Sequence, residues 1–339
     1  MSQLRVLQVG PVTSVQDFGR FGGQRYGLGT AGALDRWSLA AANALVGSRQ
    51  TAPAIEIGPF ACRFKVEGGA VRIALCGASR PASINGRTLA FNSTALIADG
   101  ETLDIRAAQG AVFSYLAMEG GIAGEPIFGS FSVHARLGLG APFPRALASG
   151  DVLTVGNADQ SAGERRLALP AADNGPIRIV LGPQDDYFTP AAIAALQETV
   201  WRISATSDRM GYRLEGPPLA HAKGHNIVSD GITNGAIQVP GNGQPLVLLA
   251  DRGTTGGYPK IAVILSCDLH RFAQIPAGGA VRFKAVSVAE AQTASRAFAA
   301  ALGDLPAHVG DAHDWTISAE ALLAANLAGQ AVDAQTDNP

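Results

Sequence analysis

The chain of 339 residues is long enough for about two domains of ordinary size. Its net charge of −2 gives no electrostatic basis for capturing nucleic acid, and no apolar run approaches the roughly 20 residues that a membrane-spanning helix needs. The amino terminus lacks the basic-then-apolar order of a signal peptide. Three widely spaced cysteines, Cys62, Cys76 and Cys267, indicate reduced structural thiols. We therefore expect a cytoplasmic protein with neither a nucleic-acid partner nor a membrane anchor.

The first half predicts short strands and one clear helix. An apolar strand over residues 4–9 leads into a glycine-dense loop, and residues 35–47 then have a helical pattern with Asp35 as N-cap and Gly47 as the stop. Strand-like segments follow at residues 54–57, 62–66, 71–76, 95–97, 102–105, 112–117 and 152–155. The Asn85-Gly86 pair predicts a hairpin turn. Strands spaced this regularly are typical of β-barrels and sandwiches.

A short motif occurs three times along the chain. Residues 98–105 resemble residues 148–155, and residues 276–283 are a looser third copy. Each copy is a glycine turn followed by an alternating strand. We interpret the repeat as one structural device used several times, and as an indication of two related barrels.

The second half follows a polar stretch, residues 161–175, which is the best candidate for a linker. Thr189-Pro190 predicts the start of a helix that runs to about Glu198, in the order expected of an N-cap and a first helical position. Strands are predicted at residues 177–181, 236–239, 245–250 and 261–266. A helix between the caps Ser287 and Gly303, a second helix at 318–327 and a disordered end from Gln330 complete the expected tail.

Polar side chains gather on glycine-rich turns of the second half, in residues 207–213, 235–244 and 250–260. Loops held by a rigid sheet often carry function. Arginine can bind a carboxylate or phosphate with two hydrogen bonds, glycine N–H groups can stabilise an oxyanion, and Asp, Tyr or Lys can move a proton. The alternative is structural, because neighbouring Asp and Arg residues often only tie a turn together.

Several common site motifs are absent from the sequence. There is no phosphate-binding P-loop, no H-E-x-x-H or C-x-x-C metal motif, and no G-x-S-x-G elbow. His221 and His225 are four residues apart, but Gly224 lies between them in a loop-like segment, so we expect no metal site there. A biotin-acceptor Met-Lys-Met is also absent, since Glu119 stands where the lysine would be. The remaining groups suit an anionic or amide substrate.

Several longer blocks together resemble a known family. They are residues 15–20, 32–35, 182–186, 207–214, 229–232 and 238–260. These blocks are similar to the biotin-dependent carboxyltransferase A/B-subdomain family, also called allophanate hydrolase subunit two, KipA or the 5-oxoprolinase C subunit. The resemblance covers roughly residues 4–286. It implies a mainly β fold with a few helices: two tandem cyclophilin-like β-barrel subdomains, at residues 1–168 and 176–286, and a short helical tail at 287–339 with a disordered end.

The resemblance implies a function and two alternatives. A free-standing chain of this kind looks like the C subunit of an ATP-dependent 5-oxoprolinase. That complex converts 5-oxoproline to L-glutamate with a KipI-like subunit, its B component, and a lactam-opening subunit, its A component. In that case the complex uses ATP, and no cofactor is covalently bound to this chain.

The first alternative is a carboxyltransferase component that moves CO2 from biotin on a separate carrier to a urea-like or amide nitrogen. The second is a non-catalytic regulatory partner of a KipI-like protein. Under each of these interpretations the C-terminal helices could cover a barrel edge or form a homodimer or partner surface.

The match to the family blocks also implies site residues. The expected catalytic residues are Asp208, Asp251, Tyr258 and Lys260. The expected substrate-binding residues are Asp17, Arg20, Arg209, Tyr212, Arg213, Gln238, Thr254 and Thr255. Lys260 or Tyr258 would donate a proton, the Asp side chains would orient the donor, and the arginines would bind a carboxylate or acyl phosphate. No metal is expected.

Overall fold

The computed structural model describes residues 1–169 and 173–312. Twelve strands precede residue 170: β1 Ser2–Gln8, β2 Ser14–Gln16, β3 Ala54–Ile57, β4 Cys62–Glu67, β5 Val71–Gly77, β6 Ala82–Ile84, β7 Arg87–Thr88, β8 Thr94–Ile97, β9 Thr102–Ile105, β10 Ser114–Met118, β11 Val152–Val155 and β12 Arg165–Leu167. The later strands are β13 Ile177–Leu181, β14 Trp201–Ile203, β15 Gly211–Glu215, β16 Asp230–Gly231, β17 Ala236–Gln238, β18 Leu246–Leu248, β19 Thr255–Gly256, β20 Lys260–Ile264, β21 Ala280–Val281, β22 Phe283–Ala285 and β23 Val309–Asp311. The α-helices are α1 Arg36–Leu45, α2 Pro190–Glu198, α3 Leu269–Ala273 and α4 Val288–Asp304.

Two sheets enclose the core of the first half. One has the order β11-β1-β4-β9-β6-β7 and the other β2-β3-β10-β5-β8. Leu4 and Phe64 from the first sheet and Ile73 and Leu116 from the second are fully buried in one apolar cluster. The alternating burial along β1 and β4 explains why the sequence pattern predicted these strands.

The second half is built on one curved sheet that is nearly a closed barrel. Its strand order is β21-β14-β15-β18-β17-β20-β13-β22. The two edge strands β21 and β22 are consecutive in the chain and are separated by Arg282 alone, so the edges of the sheet lie side by side. The mainly β fold with barrel architecture is therefore confirmed, whereas the subdomain boundaries at 168, 176 and 286 stay predictions.

Helix α1 lies on the outer face of β5 and β10 and joins the two halves. Its N-cap is Asp35, whose carboxylate accepts a hydrogen bond from Ser38 N at 2.9 Å, as predicted. The apolar cluster that contains Leu39 and Tyr115 continues into the second half through Trp201 and Phe272. The two halves therefore share one continuous apolar core.

The repeated motif is confirmed as a structural device. Gly100, Gly150 and Gly278 all have positive φ angles, of 83°, 94° and 77°. Each glycine N–H donates to a strand carbonyl: Gly100 to Val66 at 2.9 Å, Gly150 to Val6 at 2.8 Å and Gly278 to Ile203 at 2.7 Å. Left-handed backbone of this kind is what glycine tolerates and other residues resist. The relationship between two barrels that the repeat indicated stays a prediction.

Two expectations about connections were wrong. The stretch predicted as a linker contains β12, which pairs antiparallel with β23 at residues 309–311. The predicted stop at Gly303 is also wrong, because α4 continues to Asp304 and then into a 3-10 turn that buries Leu305 to 2% exposure. The predicted helix at 318–327 and the predicted disorder from Gln330 lie outside the described residues.

The hairpin, the other caps and the cysteine environments agree with prediction. Asn85 and Gly86 both have positive φ, as a two-residue hairpin turn requires. The three cysteines are buried and form no disulfide. Burial raises the pKa of the Cys62 thiol to about 12. In the described part of the chain, no helix has the length and apolar character needed to cross a membrane.

Substitution of Ser287 tests the start of α4. Ser287 and Glu290 form a reciprocal capping box, with Glu290 N donating to Ser287 Oγ and Ser287 N donating to the Glu290 carboxylate. We expect Ser287→Ala to destabilise the first turn of α4 by about 1 kcal/mol, measured as faster amide hydrogen exchange there. Ser287→Asp, which keeps a capping oxygen, should preserve protection. Equal exchange in the wild type and the alanine variant would show that packing alone fixes this turn.

Candidate functional site

A buried arginine connects the two halves of the molecule. Arg209 lies in the turn before β15 and is 8% exposed. Its Nε and Nη2 donate to the two carboxylate oxygens of Asp251 at 2.9 and 3.0 Å. Nη1 donates to Glu56, and Nη2 also donates to Gly32 O at 2.9 Å. Arg209 is therefore held by two carboxylates, and it fixes the orientation of Asp251.

Glu56 is the partner that sequence reasoning missed. It is fully buried on β3 and accepts hydrogen bonds from Tyr115 Oη at 2.6 Å and Leu34 N at 3.0 Å. Burial raises the pKa of Glu56, against the Arg209 guanidinium and the Tyr115 hydroxyl, which lower it. Burial alone would lower the pKa of Arg209, but the carboxylates of Asp251 and Glu56 outweigh burial and raise it. The available signal was a single glutamate inside an otherwise apolar predicted strand, a position that usually requires a charged partner.

Asp17 holds the glycine-rich loop that follows β2. Its carboxylate accepts from Gly19 N at 2.7 Å, Phe131 N at 2.7 Å, Ser130 Oγ at 2.6 Å and Ser132 Oγ at 2.5 Å. Four donors from two segments leave this carboxylate well satisfied. Its contacts are thus those of a residue that positions the loop.

Arg20 follows on the same loop and is 2% exposed. Its Nη2 donates to Ser132 O. Burial lowers the pKa of Arg20, while the nearby carboxylates of Asp17 and Asp251 oppose that shift. The contact between Arg209, Glu56 and Asp251, where the two halves meet, is called the junction below. The loop therefore places a nearly inaccessible cation beside this junction.

Arg252 completes the junction from the second half. Its guanidinium donates to Ile232 O, Thr30 Oγ1 and Gln24 Oε1 at 3.2, 3.2 and 3.4 Å. Burial, and secondarily the charge of Arg36, lower the pKa of Arg252 to about 10. Arg252 lies in the charged segment 250–260, and its sequence position made it a candidate to bind a carboxylate or phosphate, but it was not selected as a site residue. Arg36, beside the block at residues 32–35, was not considered.

A second group of predicted residues lies around the start of β20. Lys260 Nζ donates to Asp230 Oδ2 at 2.8 Å, and Gln184 Nε2 donates to the same oxygen at 3.3 Å. The Lys260 side chain is 3% exposed, whereas that of Asp230 is 53% exposed. The hydrogen bond from Lys260 is the largest of the effects that lower the pKa of Asp230. A buried ammonium group is thus presented towards a solvent-facing carboxylate.

Among the other predicted residues of this region, Gln238 is the strand partner of Lys260 across β17 and β20. Gln238 is 4% exposed and donates to Tyr258 O at 3.2 Å, while the Tyr258 side chain is 41% exposed. Thr255 is exposed on β19. Thr254 O accepts from Ile232 N at 3.0 Å, beside the carbonyl that Arg252 contacts. The short strand β16 therefore carries the partner of Lys260, Asp230, and is followed directly by Ile232, whose carbonyl Arg252 contacts.

Three predicted residues form no side-chain hydrogen bond with either group in the described part of the chain. Tyr212 points into the core and donates to Ala273 O at 2.9 Å. Arg213 is exposed on the other face of β15. The Asp208 side chain is 53% exposed, accepts from Met210 N at 2.8 Å and lies 3.6 Å from Arg136. Their positions favour roles in packing and turn formation.

Neither group lines the surface grooves beside α4, α3 and β9. The grooves of about 540–560 Å³ open beside α4, beside α3 and beside β9, and none of the site residues above lines them. Among residues 1–169 and 173–312, no cluster of three or more His, Cys, Asp or Glu side chains has an arrangement that could hold a metal ion. The candidate site therefore consists of the polar groups at the junction and around Lys260.

Known proteins are similar to this chain in sequence and in fold. The sequence model of the family described as carboxyltransferase domain, subdomain A and B, matches residues 26–285. The chain is 37% identical over 290 residues to the 5-oxoprolinase C subunit of Escherichia coli (strain K12), with 85% of this chain and 93% of that protein covered. It is 32% identical over 289 residues to the 5-oxoprolinase C subunit of Haemophilus influenzae, with 84% and 92% covered.

A solved structure of a related protein is similar to this chain in fold. The crystal structure of the K. lactis urea amidolyase matches with a TM-score of 0.82 at 25% identity, over 89% of this chain. This chain spans only 20% of that longer protein. The segment that matches the family model includes β3, β15 and β20, which carry or adjoin Glu56, Arg209 and Lys260. The chain belongs to the carboxyltransferase family of subdomain A and B proteins.

Proposed function

We propose that this chain is the C subunit of an ATP-dependent 5-oxoprolinase that converts 5-oxoproline to L-glutamate. The observation that carries the proposal is the 37% identity to the Escherichia coli protein of that name, over nearly the whole length of both chains. The complex would contain a KipI-like B component and a lactam-opening A component, and it would use ATP. Because the described part of the chain shows no nucleotide-binding signature, ATP is assigned to the complex as a whole.

The site chemistry fits a small cyclic amide that carries a carboxylate. The junction supplies cations from Arg20 and Arg252, and Asp251 is held in a fixed orientation by Arg209. Lys260 supplies an ammonium group that could donate a proton to the departing amide nitrogen. In this proposal Arg209 is a positioning residue, and Lys260 with Asp230 is the proton-handling pair. Tyr258, which is partly exposed beside them, is the second candidate donor.

Carboxyl transfer is the alternative, and the similarity to the K. lactis urea amidolyase favours it. Biotin would then have to come from a separate carrier. The segment with Met118 and Glu119, where a biotin lysine would be sought, belongs to or adjoins core strand β10. Met118 is 1% exposed, and Glu119 bonds Arg72 at 3.2 Å. This segment cannot swing out as a carrier hairpin without opening the core.

An omission experiment tests the proposed function. The full chain is combined with its genomic KipI-like and lactamase-like neighbours, and ATP-dependent release of glutamate from 5-oxoproline is measured while each protein is left out in turn. We expect activity in the full mixture and its loss when this chain is omitted. Full activity without this chain would contradict the proposal. No activity in the complete mixture, followed by carboxylation of a urea-like acceptor when a biotinylated carrier is added, would favour the alternative.

A further inference from the structure

Three arginines at the junction have no acidic partner. In the two described stretches, no carboxylate lies within ion-pair distance of Arg20, Arg36 or Arg252. Asp17 is already satisfied by four donors, and Asp251 is bound through both oxygens by Arg209. The three guanidinium groups therefore form no direct ion pair with the described residues, although the charge of Asp17 acts on both Arg20 and Arg36.

Arg20 is the most unusual of the three. Although it is only 2% exposed, its Nε and Nη1 have no hydrogen-bond acceptor among the residues that the structure describes. A buried N–H of a charged group that lacks an acceptor is costly, so such groups are normally satisfied by a partner. The two unpaired N–H donors of Arg20 therefore indicate a hydrogen-bond acceptor that is not part of this chain.

The surrounding side chains converge on the same place. Thr30 links two of the arginines, because its carbonyl accepts from Arg20 N at 2.8 Å and its hydroxyl accepts from Arg252 Nη1 at 3.2 Å. His134 is 4% exposed, and its Nδ1 also has no partner in the described stretches. The charges of both Asp251 and Arg20 act on the pKa of His134, which burial lowers. Arg20 also contacts the segment that carries His134 directly, because its Nη2 donates to Ser132 O, two residues before the histidine.

The glycine at position 29 approaches His134 closely. A Cβ atom at Gly29 would lie 2.9 Å from His134 Nε2 and 3.6 Å from Arg252 O. Any larger side chain there would press against the histidine. The close approach of residue 29 therefore places its backbone beside the His134 imidazole and the Arg252 carbonyl.

We propose that Arg20, with Arg36 and Arg252 around it, forms a binding site for a small planar oxyanion of the carboxylate type. Arg20 Nε and Nη1 would donate to the anion, and the two other arginines would supply the surrounding positive charge. Guanidinium groups suit this ligand because their donors form charge-assisted hydrogen bonds to carboxylate oxygens. The inference deepens the proposed function and rests on it for the identity of the ligand.

Two sources could supply such an anion. One is the carboxylate of 5-oxoproline, which would place the lactam ring at the junction. The other is bicarbonate, which would suit the carboxyl chemistry for which the family is named. Both present a planar, negatively charged O–C–O group, so binding to each must be measured separately.

The test is an anion titration of the full-length chain. Carboxyl-labelled [13C]5-oxoproline and [13C]bicarbonate are each titrated and followed by 13C NMR, with the wild type compared with Arg20→Lys, Arg20→Met and Arg36→Met. We expect saturable binding of at least one anion to the wild type. Either Arg20 substitution should weaken it about tenfold or more, since one or two charge-assisted hydrogen bonds are lost. Arg36→Met, at the half-buried edge of the cluster, should weaken binding by a few-fold and leave the fold intact.

Arg106→Met is the matched control, because Arg106 is exposed and its side chain forms no hydrogen bond or ion pair with the described residues. Its affinity should equal that of the wild type. No saturable binding of either anion, or equal affinity in the wild type, Arg20→Lys and Arg36→Met, would overturn the site. Failure of the proposed function looks different: the anion would still bind in an Arg20-dependent manner, but omission of this chain would leave glutamate release unchanged.

Discussion

Arg209→Met should lower the free energy of unfolding by about 3–5 kcal/mol, the usual cost of breaking a buried ion pair from one side. The methionine fills a similar volume, but it leaves Glu56 and Asp251 facing each other's charge without the guanidinium between them. Urea or guanidinium unfolding of the purified chain measures the effect. Arg213→Met is the control, because Arg213 is exposed on the neighbouring strand and its loss should change stability by only about 0.5 kcal/mol or less.

The pH dependence of the Arg209 variant follows from Glu56. Burial already raises the pKa of Glu56 in the folded wild type, and loss of Arg209 removes a charge that opposes this shift. A carboxyl group with a raised folded pKa stabilises the fold below its unfolded pKa of about 4.3 and loses that contribution as pH rises through the folded pKa. The destabilisation should therefore be greatest at neutral pH and smaller near pH 4–5.

A double variant separates lost charge from lost packing. Glu56→Gln removes the ionisable group, so in combination with Arg209→Met it should recover roughly half of the stability lost at pH 7. A loss of stability that is independent of pH and unaffected by Glu56→Gln would show that the Arg209 side chain acts mainly through packing.

Lys260→Met should reduce turnover of the complete 5-oxoprolinase mixture by about 30–1000-fold, equivalent to about 2–4 kcal/mol of transition-state stabilisation. The substitution removes the ammonium group that contacts Asp230 and keeps an apolar side chain in the buried space. Stability should change little, because Asp230 is 53% exposed and water can replace the lost hydrogen bond. The measurement is the initial rate of glutamate release, at a concentration of the variant that gives full assembly with the partners.

Lys223→Met provides the matched control for that experiment. Lys223 also forms an ion pair with an aspartate, Asp186, at 2.5 Å, but both side chains are 57% exposed. Its removal should leave turnover close to the wild-type value. Full turnover in the Lys260 variant would remove Lys260 from the chemistry and leave Tyr258 as the proton donor to examine. Full turnover in both the Lys260 and the Arg209 variants would favour a regulatory role for this chain.

The sequence predicted those parts of the fold that depend on neighbours in the chain. Asp35, Thr189 and Ser287 all cap helices, because a cap is satisfied within three residues of itself. The strands at 54–57 and 152–155 were found with their predicted bounds, since a short, fully buried run and an alternating run both leave a local pattern. The β12–β23 pair was missed because its two short strands lie far apart in the sequence and one of them is polar.

The site was less predictable for the same reason. Glu56 and Arg209 are separated by 153 residues in the sequence. The residues next to each of them give no indication that the two side chains form an ion pair. Lys260 was expected to act, but its partner Asp230, in a block that was recognised, was not selected. Tyr212 was expected to bind substrate, yet alternation along β15 turns it into the core. Residue type and spacing identified the charged segments, while the tertiary fold decides which of their members meet.

The contact between Glu56 and Arg209 also bears on how the molecule can be made and divided. During synthesis Glu56 leaves the ribosome long before Arg209, so a first half that folded early would have to bury a carboxyl group in its protonated form or keep β3 open. Once both halves are present, the guanidinium supplies the missing charge and the shared apolar core closes around it. The contact therefore ties the burial of Glu56 on β3 to the presence of the second half. A gene split between the halves would leave Glu56 without Arg209 on one fragment, whereas Arg209 would keep its contact with Asp251 on the other.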